Sequence, residues 1–351
     1  MNNQKELLDK LYIEHNLNKD EIIWLLKNLD EEHKEILFDF ALKTRIKNYG
    51  DKVFMRGLIE FSNICCQNCL YCGLRAFNSK VDRYRLSKEE ILDCCEEGFR
   101  LGYRTFVLQS GEDPWYTEER MVDIIRTIKS KYPETAVTLS IGERSFDEYK
   151  KMFEAGADRF LLRHETASRN LYEKLHPGMD FENRRNCLKA LKTIGYQVGA
   201  GFMVGLPGQT KEDLAEDLCF LKDLNPEMIG IGPFIPHSET PLKESPGGTV
   251  EDTLIMLAFS RLLVPECLMP ATTAMGSLHP QGRELALKAG ANVVMPNLTP
   301  TNVRAKYQLY ENKICLGDEA AHCRQCIEDR IKSAGFEVDM GKGDQCNFVR
   351  S

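Results

Sequence analysis

The chain has 351 residues and a formal net charge of −7, with 42% hydrophobic and 28% charged residues. These values exclude intrinsic disorder and collagen-like structure, and no apolar run approaches the ~18 residues that span a bilayer. The acidic balance argues against a nucleic-acid footprint, which needs clustered Lys and Arg. The polar start of the chain is typical of neither a secretory signal nor a transit peptide, so we expect a cytoplasmic protein with no nucleic-acid or membrane partner.

Residues 1–50 predict a helical segment that covers the main domain. Leu7, Leu8 and Leu11 recur at helical spacing, and the same spacing returns between Ile22 and Leu29. No catalytic or metal-binding pattern falls in this segment, so we interpret it as a helical cap.

From residue 57 onward, short apolar stretches alternate with amphipathic ones. The predicted strands are 57–63, 103–110, 135–142, 159–165, 197–206, 228–236, 268–273 and 291–297. The predicted helices are 88–101, 117–131, 146–155, 181–194, 210–223, 250–264 and 280–289. This alternation predicts an α/β fold, a closed (β/α)8 TIM barrel over residues 51–298. The active site is then expected at the carboxyl ends of the strands, and residues 299–351 form a C-terminal extension.

The cysteines are the anomaly of the composition. There are 13 of them, although disulfides are rare in the cytosol. Cys65, Cys69 and Cys72 form C-x3-C-x2-C directly after the first predicted strand. Thiolate is the preferred ligand of iron–sulfur centres, and three thiolates leave one iron of a [4Fe–4S] cluster open. Structural zinc with a fourth ligand elsewhere, or buried thiols without metal, is the alternative, and Cys66 is interpreted as a bystander.

With an aromatic residue, Tyr71, before its last cysteine, this motif resembles the signature of the radical S-adenosylmethionine (SAM) superfamily. The resemblance implies that the three cysteines hold a catalytic [4Fe–4S] cluster whose open iron chelates SAM. One electron from the cluster then cleaves SAM to a 5′-deoxyadenosyl radical. The resemblance also implies a SAM-binding role for a set of positions at or near the strand ends, namely Tyr71, Gln109, Ser110, Gly111, Glu112, Thr138, Ser140, Glu165 and Arg184.

Longer segments resemble the E-type maturases of [FeFe]-hydrogenase, a family within that superfamily. They are QSGEDPWY (109–116), AGADRFLLRHETA (155–167), GAGFMVGLPGQT (199–210), GIGPFIPHSETPL (230–242), PATTAMG (270–276) and ANVVMPNLTPTNVRAKYQLYENKIC (291–315). The resemblance implies that the substrate is a small organometallic precursor, a cysteine-bound iron that carries carbon monoxide and cyanide. The adenosyl radical is expected to attack the cysteine sulfur. The implied partners are a companion maturase that lyses tyrosine and a scaffold maturase GTPase.

The charges in the fourth predicted strand indicate an anion or an acidic partner inside the barrel. Strand alternation places Arg159, Leu161 and Arg163 on one face, and a buried Arg is costly unless it is paired. A structural salt bridge to Asp158 or Glu165 is the alternative. We expect a substrate cavity lined by Arg56, Arg159, Arg163, Thr272, Thr273, Met295, Tyr307 and Tyr310, with the two tyrosines on a predicted helix.

A second cysteine pattern, C-x7-C-x2-C, lies in the C-terminal extension. It consists of Cys315, Cys323 and Cys326, and it predicts a second, surface iron–sulfur cluster of the [2Fe–2S] or [4Fe–4S] type. In the family that the chain resembles, this cluster is variable and dispensable for activity. Unliganded surface cysteines are the alternative.

Two other classes of function stay open on the sequence. A methylornithine-synthase-like or biotin-synthase-like radical enzyme would share the barrel and the first cysteine motif. The biotin-synthase type needs a sacrificial second cluster inside the barrel, and no barrel-strand cysteine is available to ligate one apart from Cys267 at the start of the seventh predicted strand. A non-catalytic iron–sulfur carrier would need neither the barrel nor the SAM segment, and formation of 5′-deoxyadenosine separates the enzyme from the carrier.

Overall fold

The computed structural model describes residues 3–317 and 319–349. Its helices are α1 (Asn3–Glu14), α2 (Lys19–Asn28), α3 (Glu31–Tyr49), α4 (Lys88–Arg100), α5 (Glu118–Lys131), α6 (Phe146–Glu154), α7 (Arg169–Leu175), α8 (Phe181–Ile194), α9 (Lys211–Leu224), α10 (Val250–Leu263), α11 (Thr273–Leu278), α12 (Gly282–Lys288), α13 (Thr301–Arg304) and α14 (Ala320–Ser333). Its strands are β1 (Lys52–Met55), β2 (Gly57–Ser62), β3 (Thr105–Ser110), β4 (Ala136–Ser140), β5 (Arg159–Leu161), β6 (Gln197–Ala200), β7 (Met203–Val204), β8 (Met228–Ile229), β9 (Gly232–Pro233), β10 (Val293–Val294) and β11 (Glu337–Asp339).

The strands are parallel and close into an eight-stranded barrel. β2, β3, β4, β5, β6 and β8 are neighbours in that order, and β1 continues into β2 across Arg56 while it pairs with β10. The remaining seams are single parallel bridges, which are Met228–Leu268, Pro270–Val293 and Leu58–Asn297. The seventh barrel position is therefore an extended segment near residues 268–270. The predicted α/β barrel is confirmed.

Capping residues fix where several barrel helices begin. Ser87 accepts a hydrogen bond from the backbone N–H of Glu90, whose side chain accepts from the Ser87 N–H in return. Thr210 and Asp213 form the same reciprocal capping box at the start of α9. Both capping boxes join residues three positions apart, so the starts of both helices follow from local chemistry.

The N-terminal helices cover one side of the barrel. α3 packs against α10, and every residue of α10 from Thr253 to Leu263 is buried. Because α10 is buried on all sides over this stretch, the barrel covers one side of it and the N-terminal helices cover the other. None of the described helices combines the length and the apolar character needed to cross a bilayer.

The C-terminal segment closes the lower end of the barrel, opposite the carboxyl ends of the strands. β11 pairs in parallel with β1, and the chain then passes beneath the barrel. The fully buried Arg159 contacts Asp344 Oδ1 at 2.5 Å and donates to the Lys342 carbonyl at 2.8 Å. Arg56 donates to the Gly343 carbonyl at 2.9 Å. This end is therefore filled by the chain itself.

The expectation that Arg56 and Arg159 line the substrate cavity is wrong. Alternation correctly places Arg159 on the inner face of β5, but it lies at the amino end of that strand, two residues below Leu161. Its acidic partner is Asp344 of the C-terminal segment rather than a ligand. Arg56 likewise contacts Met228 Sδ and the same segment.

Candidate active site

The first cysteine motif forms a loop at the upper end of the barrel, directly after β2. The backbone N–H of Gln67 faces Cys65 Sγ at 3.4 Å, and the Cys72 N–H donates to the Cys69 carbonyl. A Cβ on Gly111 would lie 2.3 Å from the Ile64 carbonyl oxygen. Only glycine therefore allows the end of β3 to approach the cysteine loop this closely.

Burial raises the pKa of each of the three thiols. It is the first cause of the raised values of Cys65 and Cys69, and it raises the pKa of Cys72 to about 12. Negative charge on the neighbouring cysteines adds to the effect. The loop therefore favours neutral thiols at pH 7 until a cation compensates the thiolate charges, which is the behaviour of a metal site.

Two contacts hold the loop against its surroundings. The Tyr71 hydroxyl lies 2.8 Å from His176 Nε2, and His176 Nδ1 lies 2.8 Å from the Tyr172 carbonyl. Because a carbonyl only accepts, His176 carries its proton on Nδ1 and accepts from Tyr71 on Nε2. Burial lowers the pKa of His176 to about 4, so the His176 ring that binds Tyr71 is neutral at pH 7. The second contact is the Gln67 amide, which donates to Glu112 Oε2 at 2.6 Å.

A cavity of about 370 Å³ lies below the loop, inside the barrel. It is within the range of small-ligand sites. Thirteen of the predicted site residues line it, namely Cys69, Tyr71, Cys72, Gln109, Ser110, Ser140, Arg163, Glu165, Thr272, Thr273, Met295, Tyr307 and Tyr310. Side chains from strands far apart in the sequence therefore meet at one place, as barrel closure requires.

Besides Arg56, Arg159 and the second cysteine group, five predicted site residues lie outside this lining, namely Cys65, Gly111, Glu112, Thr138 and Arg184. Thr138 is buried near the middle of β4. Arg184, in the first turn of α8, donates from Nε to Glu143 Oε1 at 2.6 Å and from Nη1 to the Arg163 carbonyl at 3.0 Å. Its guanidinium is thus paired with a carboxylate that the sequence analysis missed, and Glu112 also binds the Glu143 N–H.

Arg163 and Glu165 form an ion pair on the wall of the cavity. Arg163 Nη2 lies 3.1 Å from Glu165 Oε2, and both side chains are mostly buried. The contact lacks the geometry of a hydrogen bond, and Arg163 Nε has no hydrogen-bond partner among the described residues. The sequence left open a structural salt bridge between Arg163 and Glu165, and the structure contains this pair. The pair leaves part of the hydrogen-bonding capacity of Arg163 unused at the cavity wall.

The prediction that Tyr307 and Tyr310 lie on a helix is wrong. α13 ends at Arg304, and the chain beyond it is held by tertiary contacts. Leu309 accepts through its carbonyl from the Gly73 N–H, and the Tyr307 carbonyl accepts from Lys313 Nζ at 2.8 Å. Both tyrosines nevertheless face the cavity.

A buried ion pair in the same wall escaped the sequence analysis. Lys313 Nζ lies 2.5 Å from Glu60 Oε1, and the two side chains are only 6% and 2% exposed. Asn297 donates to the other Glu60 oxygen at 2.9 Å. Glu60 comes from β2 and Lys313 from the C-terminal extension, so only the folded chain brings them together.

The second cysteine group lies partly beside the cavity and partly at the surface. Cys323 is 3% exposed and lies beside Cys315, whereas Cys326 is exposed. The Arg283 guanidinium lies 3.7 Å from Cys315 Sγ and 3.4 Å from Thr273 Oγ1, which lines the cavity. The expected surface position is therefore wrong for Cys323. Among the described residues, no three His, Cys, Asp or Glu side chains converge closely enough to hold one metal ion.

The donors at the cavity fit a [4Fe–4S] cluster and SAM. The three cysteines of a cubane bind different irons, so they need not converge on one point. Glu165 Oε2 and Thr272 Oγ1 are buried at the wall without a hydrogen-bond partner among the described residues. Buried polar atoms in native proteins are normally satisfied, so these atoms are arranged for a polar ligand.

Comparisons with known proteins agree with this site. The sequence model of the radical SAM superfamily matches residues 59–221 of this chain. The [FeFe] hydrogenase maturase subunit HydE of Thermotoga maritima is 48% identical over 94% of each chain. The 3-methylornithine synthase of Methanosarcina acetivorans is 33% identical over 79% of each chain. The crystal structure of methylornithine synthase PylB superposes with a TM-score of 0.82, at 28% identity, over 95% of this chain and 97% of that one.

Proposed function

Because the chain belongs to the HydE family of [FeFe]-hydrogenase maturases within the radical SAM superfamily, we propose a specific substrate for it. The chain is a radical SAM enzyme of hydrogenase maturation. Its proposed substrate is a small cysteine-bound iron that carries carbon monoxide and cyanide, on the path to the diiron subcluster of the H-cluster. The proposed partners are the tyrosine-lysing maturase that supplies this precursor and the scaffold GTPase that receives the product.

One observation carries the proposal: the three-cysteine loop contributes to the upper wall of a cavity inside the barrel that is also lined by anion-binding groups. Cys69 and Cys72 contribute to the same lining as Arg163 and Thr272. A carrier protein would present its cluster to a partner. Here the loop faces inward, so a small molecule below it is shielded from water and from competing reactions.

Cys65, Cys69 and Cys72 would hold the [4Fe–4S] cluster, and the ends of β3, β4 and β5 would hold SAM. The cluster, when bound, supplies the electron that cleaves SAM to the 5′-deoxyadenosyl radical. The task of Glu165 is to accept hydrogen bonds from the nucleoside with its carboxylate, whose Oε2 is ion-paired to Arg163 but has no hydrogen-bond partner among the described residues. Ser140 lines the same region and adds a short hydroxyl that both donates and accepts.

Lower in the cavity, the substrate would meet Arg163, Thr272 and Thr273. A guanidinium presents planar donors that suit an anionic ligand. Arg163 Nε is such a donor without a hydrogen-bond partner among the described residues, and the Thr272 hydroxyl is a second unused donor. The Tyr307 and Tyr310 rings line the same cavity. These residues orient a small anion below the nucleoside and keep water away from it.

For the second cysteine group we propose an auxiliary iron–sulfur cluster bound by Cys315, Cys323 and Cys326. Their spacing and the contact between Cys315 and Cys323 support this assignment. Closure of the set needs Cys326 to turn inward from its exposed position on α14. Dispensability of this cluster for maturation is part of the proposal.

The direct test is an anaerobic incubation of the reduced, iron-loaded protein with SAM, followed by chromatography for 5′-deoxyadenosine. We expect turnover by the native chain and none by Cys69→Ala. Cys66→Ala is the matched control, because Cys66 lies in the same loop and is exposed. Iron loading without 5′-deoxyadenosine from the native chain would favour the carrier and contradict the proposal.

A further inference from the structure

Arg163 and Glu165, which follow β5 and line the cavity, flank a side chain that is not part of the cavity lining. His164 is 2% exposed and lies after the end of β5, with its ring packed against Phe202 and Phe220. Its nearest acidic neighbour is Asp217 of α9. The roles proposed above leave this buried histidine unused.

Glu165 adopts a backbone conformation that needs support. Its φ is +66°, in the left-handed region where an L side chain is strained. The Glu165 N–H donates to the Gly201 carbonyl at 3.0 Å, and the Glu165 carbonyl accepts from the Met203 N–H at 3.2 Å. Such strain persists only where the surroundings over-determine the conformation, so the support of Gly201 decides where the Glu165 carboxylate points.

His164 supports Gly201 from behind. The Gly201 N–H donates to His164 Nδ1 at 3.2 Å, and the Gly201 carbonyl accepts from the Glu165 N–H. Gly201 therefore binds two consecutive residues, His164 and Glu165. An accepting Nδ1 is unprotonated, and burial lowers the pKa of His164 well below its ordinary value. The ring is therefore neutral and carries its proton on Nε2.

Asp217 holds this arrangement from the helix side. Its Oδ1 lies 3.3 Å from His164 Nε2 and accepts a hydrogen bond from the Ala167 N–H. Asp217 is fully buried. It thus contacts the residue before Glu165 and the residue two places after it. The strained residue is bracketed on both sides. The other charged groups near the ring are Arg163, Arg184 and Arg185.

We propose that His164 is a positioning residue for SAM: through Gly201 it fixes the left-handed backbone of Glu165 and thereby the direction of the Glu165 carboxylate. The inference rests on the proposed contact of Glu165 with the nucleoside. The bond that matters is the one from Gly201 N–H to Nδ1, whereas Nε2 lies 3.3 Å from Asp217 Oδ1 without the geometry of a hydrogen bond. No charge on His164 is required.

Two variants separate this bond from simple packing. In His164→Asn the amide oxygen occupies the place of Nδ1 and can still accept from Gly201. In His164→Gln the amide nitrogen instead takes the place of Nε2, and the acceptor is lost. We expect His164→Gln to weaken SAM binding to the cluster-loaded protein roughly tenfold, which is about 1.4 kcal/mol, and His164→Asn to stay within about threefold of the native affinity.

The measurements are a SAM binding titration, the rate of 5′-deoxyadenosine formation at saturating SAM, and thermal unfolding. His33→Gln is the matched control, because His33 is equally buried and lies 2.6 Å from Asp30 in the N-terminal helices. It should lower thermal stability without a change in SAM affinity. If His164→Gln does not fold, His164→Met removes the same acceptor at similar volume.

Equal loss of SAM affinity in the Asn and Gln variants would show that packing matters rather than the bond, and would overturn the inference. So would native affinity in both variants. Glu165→Gln distinguishes this failure from a failure of the proposed function. If Glu165→Gln weakens SAM binding while both His164 variants bind normally, only the positioning role is refuted. If Glu165→Gln binds SAM normally, the proposed contact of Glu165 with SAM is itself wrong.

Discussion

In the ion pair of Arg159 and Asp344, we expect the loss of stability to depend on which of the two partners is replaced. Arg159 is fully buried, whereas the Asp344 side chain is 45% exposed. Replacement of Arg159 by Met removes a charge-assisted hydrogen bond of roughly 1.5–3 kcal/mol, but Asp344 can then hydrate. Replacement of Asp344 by Ala leaves a buried guanidinium without its counter-charge, for which roughly 3–5 kcal/mol is typical. We therefore expect Asp344→Ala to be the more destabilising of the two.

Urea unfolding followed by circular dichroism measures both variants, and 5′-deoxyadenosine formation in the folded state should be retained in each. The pair also predicts a pH dependence. Burial would raise the pKa of Asp344, but Arg159 and the Gln197 amide lower it below its ordinary 3.8. The stability from the pair is thus fully present above about pH 4 and is lost as pH falls through the folded pKa.

The gap in stability between the native chain and Arg159→Met should accordingly narrow in acid. A larger loss of stability in Arg159→Met than in Asp344→Ala would refute the reasoning from burial. Loss of SAM turnover in a folded Arg159→Met would place this arginine at the cavity after all.

Three further outcomes test the site. Cys69→Ala should abolish formation of 5′-deoxyadenosine while Cys66→Ala keeps it within about twofold, and full turnover by the Cys69 variant would refute the cluster assignment. Replacement of Cys315 and Cys323 together by Ala should lower bound iron in a colorimetric assay but preserve hydrogenase maturation; complete loss of maturation in a folded protein would give the second site a catalytic role. Arg163→Met should bind SAM yet mature no hydrogenase, because the loss of ~2–3 kcal/mol weakens anion binding roughly 30- to 150-fold; normal maturation with weakened SAM binding would move Arg163 to the cofactor site.

The barrel could be predicted because its signals are local. Most barrel strands and their long helices are encoded by periodicity over about ten residues, and Ser87 and Thr210 mark helix starts by their own hydrogen bonds. The cysteine loop is likewise a contiguous segment. Strand ends converge by topology, so the positions of Gln109 and Ser140 at the cavity follow from the fold alone.

What the sequence could not reveal depends on pairs that are distant along the chain. Arg159 and Asp344 are separated by 185 residues, and alternation specifies the face of a strand but not which end receives a partner. Glu60 and Lys313 are separated by 253 residues, and no spacing in the sequence indicates that they pair.

Local preference was also overridden near Tyr307. Its spacing of three from Tyr310 suggested a helix, but the backbone there bonds to Gly73 and Lys313 instead. The missed partner of Arg184, Glu143, had no signal beyond its place after a strand end.

The central claim is that this chain matures [FeFe]-hydrogenase by SAM-dependent radical chemistry. An in vitro assembly system that contains the other maturases, SAM and a reductant, but lacks only this chain, tests it directly through hydrogen evolution by the assembled hydrogenase. We predict that the native protein restores hydrogen evolution and that Cys69→Ala does not. Failure of the iron-loaded, SAM-cleaving native protein to restore activity would contradict the claim, as would restoration by folded Cys69→Ala.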